Sequence, residues 1–194
     1  MIVLKSSREL ELMKEACIIS AQALKVAGEA VKPGVSTWEI DKIAYDFIKS
    51  CGATPNFLNY GGFPATACIS INDEVIHGIP SKKRIIKDGD IVSVDLVALK
   101  NGFNGDAART YLVGNVSKDA KRLVEVTKQA FYEGIKYAKK GNRIGDVSHA
   151  IGEYVKSQGY SVVREFEGHG IGRSMHEAPE IPNYGKAGRG FCQH

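Results

Sequence analysis

The stretch DGDIVSVDLVALKNGFNGDAARTYLV, residues 88–113, decides how this chain folds. Asp88-Gly89 is turn chemistry. Ile91–Leu99 is almost wholly apolar and partly β-branched, the pattern of a buried strand. Lys100-Asn101-Gly102 reads as a hairpin turn, and Phe103–Val113 as the returning partner strand. Asp95 interrupts the apolar run, and a carboxylate there costs several kcal/mol to bury unless something cationic meets it. A two-residue loop at Lys100-Asn101 sets Asp95 directly opposite Asp106; a loop at Asn101-Gly102 makes them diagonal neighbours. Either way they share a face. Two carboxylates side by side repel unless they are protonated or bridged by a metal. The plainer alternative pairs one of them with Arg109 on a solvent-facing sheet.

Around this hairpin the helix signals are clear. Ser6-Ser7-Arg8-Glu9 and Ser36-Thr37-Trp38-Glu39 are capping boxes. The first opens a helix with Leu10, Met13, Cys17, Leu24 and Ala27 near one face, broken at Pro33-Gly34. The second opens a helix with Ile40, Ile43, Ala44, Phe47 and Ile48 inward, stopped at Gly52. Strands are expected at Ala67–Ile71, at Val75-Ile76-His77 and at Ser161–Phe166, and helices at Ser117–Lys139 and Ile144–Ser157. A glycine-rich loop, Gly168-His169-Gly170-Ile171-Gly172, follows. Laid on itself with an offset of 107, Gly34–Gly52 matches Gly141–Gly159 without a gap, with identities at Gly34, Lys49, Ser50 and Gly52. That points to a duplicated unit.

Composition narrows the class. The 194 residues are 43% hydrophobic and 25% charged, enough for one ordinary domain and unlike a disordered, collagenous or disulfide-stapled chain. A net charge of +4 is too small to argue for a nucleic-acid binder. The longest uncharged stretch, 50–72, holds Pro55, Gly61, Gly62 and Pro64, so it is no spanning helix. Neither a leader pattern nor CxxC spacing is visible among Cys17, Cys51, Cys68 and Cys192, which points to a reducing cytoplasm.

Three histidines stand at strand ends or glycine turns: His77 before Gly78-Ile79-Pro80, His169 between two glycines, and His176 in Ser174-Met175-His176-Glu177. His149, on an expected helix, and terminal His194 read as ordinary residues. A His-plus-carboxylate set favours Mn, Fe, Co or Zn over a thiolate site.

On these pieces the sequence resembles the type I methionine aminopeptidases. The specific segments are Cys68-Ile69-Ser70-Ile71-Asn72-Asp73-Glu74-Val75-Ile76-His77-Gly78-Ile79-Pro80, Asp88–Asp95, Gly105-Asp106-Ala107-Ala108, and Gly168-His169-Gly170-Ile171-Gly172 with His176, Glu177 and Pro179. The resemblance implies an α/β (α+β) pita-bread fold: one domain of two pseudo-twofold-related βα halves, about 1–114 and 115–194, around a central antiparallel sheet. It implies removal of the initiator methionine at a site of two divalent ions, Co, Mn, Fe or Zn. Asp95, Asp106 and His169 would be metal ligands, and His77 and His176 would contact the scissile peptide and the tetrahedral intermediate. Tyr60, Phe63, Cys68, Met175 and nearby Phe57 would line the methionine pocket. The implied partners are methionyl N-termini of nascent chains and the ribosome, with no membrane and no specific DNA binding.

The family also supplies two glutamates from a C-terminal segment that Gly190-Phe191-Cys192-Gln193-His194 does not resemble. The expectation is therefore a C-terminally truncated member with an incomplete second half, at most one tightly bound metal, and self-association through an uncovered edge. Two alternatives stay open: a non-catalytic pita-bread fragment or binding module, and a proline-specific peptidase of the same fold.

Overall fold

The structure, a computed structural model, describes residues 2–193; His194 lies outside the described residues. The chain forms two compact units, Val3–Ser117 with Ile171–Met175, and Lys118–Gly170 with the residues from His176 onward.

In the first unit, helices α1 (Ser7–Glu29) and α2 (Thr37–Ser50) precede four strands, β1 (Thr54–Pro55), β2 (Ala67–Ile71), β3 (Ile91–Lys100) and β4 (Phe103–Leu112). β3 is the centre of an antiparallel sheet, pairing with β4 along one edge and with β1 and β2 along the other. Its even-numbered side chains, Val92, Val94, Leu96 and Ala98, are wholly buried in a core shared with Ile40, Ile48 and Ile69. Each fully buried aliphatic side chain of this kind is worth about 1.5–3 kcal/mol. The odd-numbered face is left for other work.

α1 lies on β3 and β4 through small residues. Ala16, Ser20, Ala23 and Ala27 are fully buried, whereas Leu10 and Cys17, expected inward, are exposed. The inward face is rotated because the helix must come close to the strand backbone. A Cβ on Gly105 would meet the Ala16 carbonyl carbon at 2.4 Å. The Ser20 hydroxyl, at the same contact, donates to the Gly105 carbonyl at 2.6 Å and accepts from the Ala98 N–H at 3.2 Å.

The second unit contains α3 (Lys118–Ile135), α4 (Ile144–Ser157), and a two-stranded sheet of β5 (Gly168–Gly170) and β6 (Glu177–Ile181). Three local expectations change here and in the first unit. α3 ends at Ile135 rather than Lys139. Residues 161–166 are not a strand, because no neighbouring strand among the described residues offers them a ladder. Residues 75–77 also form none: His77 has φ of 60°, which turns the chain so that the Gly78 carbonyl accepts from the Ile69 N–H.

The offset of 107 recurs in the backbone. α2 and α4 occupy equivalent positions, and Gly34 and Gly141 have φ of 90° and 91°. Thr37 N–H donates to the Arg84 carbonyl and Ile144 N–H to the Phe191 carbonyl, each at 2.9 Å. Isolated bridges Ser36–Ile85 and Arg143–Cys192 complete the match. Residues 191–193, which in sequence do not resemble the family's continuation, thus repeat 84–86 in hydrogen bonding.

The helix caps carry a pH dependence. At α2, the Ser36 hydroxyl accepts from Glu39 N–H, and the Glu39 carboxylate accepts from the Ser36 hydroxyl and N–H. These bonds hold the Glu39 carboxyl below its usual range, the hydroxyl contributing most; Ser6 holds Glu9 and the Arg143 N–H holds Asp146 in the same direction. A folded pKa below the unfolded one gives stability that is present above pH 4.5 and is lost as pH falls through the lowered value. Thermal denaturation should show the deficit of Glu39→Gln against the parent shrinking on acidification below pH 4.5. Ser36→Ala should cost about 0.5–2 kcal/mol. A Glu39→Gln deficit that grows on acidification would contradict this sign.

Candidate active site

The β3–β4 register settles the hairpin geometry. Lys100 pairs with Phe103 around Asn101-Gly102, whose φ values of 52° and 79° fit a type I′ turn. Asp95 therefore lies opposite Ala108 and Asp106 opposite Val97, which makes the carboxylates diagonal neighbours on the odd-numbered face of β3. Arg109 lies opposite Val94 and so belongs to the other face of the sheet. The alternative in which it neutralises the pair fails on register alone.

Asp95 is largely buried, and its carboxyl is pushed up to about 7. Burial is the main cause, followed by the charge of Asp106 and a hydrogen bond with it. All three influences favour the neutral form, and a divalent cation answers all three. The donor set therefore fits a hard or borderline metal. Among the described residues, no group of three or more His, Cys, Asp or Glu side chains is assembled to hold an ion.

The same unit carries other candidates, and one of them, Cys68, shares the carboxylate face. Cys68 lies opposite Asp95 on β2, and burial, with the charges of Asp95, Asp106 and Asp41, pushes its thiol up to about 12. It stays protonated in the metal-free chain. Phe57 and Phe63 meet edge to face at 6.1 Å between ring centres, and Tyr60 begins a short 3₁₀ turn between them. Met175, on the part of the glycine loop that belongs to this unit, is 2% exposed. His77 has a left-handed backbone, and it is followed by Gly78, where an added Cβ would sit 2.3 Å from the Ile69 carbonyl oxygen.

In the second unit, the rings of His169 and His176 lie 4.2 Å apart between centres. His169 Nδ1 is 2.9 Å from the Gly170 carbonyl. A carbonyl only accepts, so Nδ1 is the donor in this bond, which orients the ring. His149 is on the surface of α4, its Nδ1 3.2 Å from the Gly185 carbonyl.

Residues 11–191 match the model of metallopeptidase family M24. The chain belongs to that family. Within M24 it falls among the methionine aminopeptidases: it is 54% identical over 190 residues to the methionine aminopeptidase of Clostridium acetobutylicum, covering 98% of this chain and 76% of that protein. The crystal structure of the Thermotoga maritima methionine aminopeptidase superimposes with a TM-score of 0.97 at 44% identity, over 99% of this chain and 77% of that one. The prolidase of Pyrococcus furiosus is more distant, at 27% identity and a TM-score of 0.82, over 96% of this chain and 54% of its own. The fold is accordingly the pita-bread fold of M24, helices flanking a central antiparallel sheet. No helix among the described residues is long and apolar enough to cross a membrane.

One residue on the carboxylate face escaped the sequence reading. Asn104, two positions before Asp106, is fully buried and bonded on every side. Its only sequence signal is a carboxamide beginning a strand next to Gly105.

Proposed function

We propose that this M24 chain is a metalloaminopeptidase that removes the initiator methionine from nascent proteins in the cytoplasm. The observation that carries the reading is the diagonal carboxylate pair, one member largely buried, on a sheet face that excludes Arg109. Asp95 and Asp106, with His169 as third donor, would hold one divalent ion, Co, Mn, Fe or Zn. A bound ion of this kind supplies Lewis acidity and a water of lowered pKa. His77 and His176 would grip the scissile peptide and stabilise charge developing on its carbonyl oxygen. Tyr60, Phe63, Cys68, Met175 and Phe57 would receive the thioether, for which aromatic and sulfur-lined surfaces are suited.

A second reading, a proline-specific peptidase of the same fold, rests on the likeness to the prolidase. The test is hydrolysis by the purified chain, with Mn²⁺ or Co²⁺ added, of a methionyl tripeptide and of an Xaa-Pro dipeptide. Release of methionine at the higher kcat/KM supports the aminopeptidase. Preference for the Xaa-Pro substrate overturns it. No turnover of either, with metal bound, supports the non-catalytic module.

A further inference from the structure

The carboxamide of Asn104 joins two stretches of chain that the sequence keeps far apart. Its Oδ1 accepts from Asn56 Nδ2 at 2.6 Å, and its Nδ2 donates to the carbonyls of Gly172 and Arg173, each at 3.1 Å. Its backbone N–H also donates to the Gly172 carbonyl, at 2.8 Å. The orientation of the amide is fixed by this network, since a flip would set its oxygen against two carbonyls. Asn56 is itself anchored, its N–H donating to the Val97 carbonyl at 2.9 Å.

The positions of these partners matter. Asn56 immediately precedes Phe57 in the 57–63 loop, which is closed by Asn59 N–H donating to the Phe63 carbonyl at 2.8 Å. Gly172 and Arg173 lead into Met175, and Arg173 is further held by Glu9 at 3.1 Å and by stacking over Phe103 at 4.5 Å. One fully buried side chain therefore sets the spacing between an aromatic segment and a methionine segment. It projects from the strand face that carries Asp106, because residues two apart on a strand share a face.

We propose that Asn104 is a positioning residue that fixes the 57–63 loop against Gly172–Met175 and so sets the selectivity of the apolar pocket for an unbranched side chain. The selectivity half rests on the aminopeptidase reading; the positioning half does not. A purely structural asparagine would stabilise the fold and leave the choice between side chains untouched.

Hydrogen exchange tests the positioning half. In Asn104→Ala, the amides of Asn59, Phe63 and Gly172 should exchange roughly 10- to 100-fold faster, as expected for the loss of two or three buried hydrogen bonds. The amide of Val94 in the β3 ladder should be unchanged. Asn56→Ala, which leaves three of the Asn104 bonds in place, should accelerate Asn59 and Phe63 only. Unchanged exchange in Asn104→Ala, equal acceleration at Val94, or acceleration of Gly172 in Asn56→Ala would overturn it.

Calorimetric binding of L-methionine and L-leucine, with Mn²⁺ present, tests selectivity. The parent should prefer methionine by about tenfold or more, and Asn104→Ala by no more than about threefold. An undiminished ratio in the variant overturns the selectivity half. A parent without any preference overturns the methionine-pocket reading instead, and the exchange result still decides positioning.

Discussion

Asp95→Asn is expected to make the metal-free chain more stable by about 1–3 kcal/mol at pH 8, while lowering its affinity for Mn²⁺ by more than about 100-fold. The two effects have one origin. Burial and the neighbouring Asp106 both oppose the charge on Asp95, so an ionised pair there is a standing cost to the metal-free fold. Asparagine keeps the shape, removes the repulsion and can donate to Asp106. It also removes an anionic ligand. Loss of support around a ligand already costs about 10–100-fold in affinity, so loss of the ligand should cost more. Urea denaturation in chelator reads the first effect and calorimetry the second. A destabilised variant would mean that Asp95 is held by a favourable cationic neighbour and that the repulsion account is mistaken.

The second large effect is at Gly105→Ala. The added Cβ would lie 2.4 Å from the Ala16 carbonyl carbon and 2.5 Å from both the Ala16 oxygen and the Cys17 nitrogen. These are backbone atoms of α1, which cannot swing aside as the tip of a side chain could. Relief requires α1 to move off β4, which also strains the Ser20 bridge to Gly105 and Ala98. Overpacking of this kind costs about 3 kcal/mol, which in a chain of this size lowers Tm by roughly 6–12 °C. Metal affinity should fall as well, since Asp106 is the next residue. Differential scanning calorimetry would check it, and a Tm within about 2 °C of the parent would show that the helix–strand contact is looser than described.

How much of this was legible in the sequence varies with the range of the forces involved. Local signals are legible. The Ser36 and Ser6 capping boxes, the Ala67–Ile71 strand and the limits of α4 depend on neighbours within a few residues. The hairpin pattern admits two loops, and the structure takes Asn101-Gly102, where both residues accept positive φ. The inward face of α1 was misjudged because hydrophobicity favours Leu10 and Cys17, whereas close approach to Gly105 favours Ala16 and Ser20. The expected strand at 161–166 finds no partner strand among the described residues, which no local pattern reveals.

The site divides the same way. As candidates, Asp95 and Asp106 are legible as charges in an apolar hairpin, and His169 by its flanking glycines. Asn104 is not, because its partners Asn56, Gly172 and Arg173 come from remote parts of the chain. The tail 191–193 is not either, since its match to 84–86 is carried by backbone hydrogen bonds that leave no imprint on side chains.

The central claim is that Asp95 and Asp106 form the metal-holding face of an M24 aminopeptidase, and calorimetric titration of the purified chain with Mn²⁺ tests it most directly. One ion bound tightly per chain, with binding lost in both Asp95→Asn and Asp106→Asn, is the predicted result. Two ions of comparable affinity, or tight binding that survives either substitution, would show that other residues hold the metal.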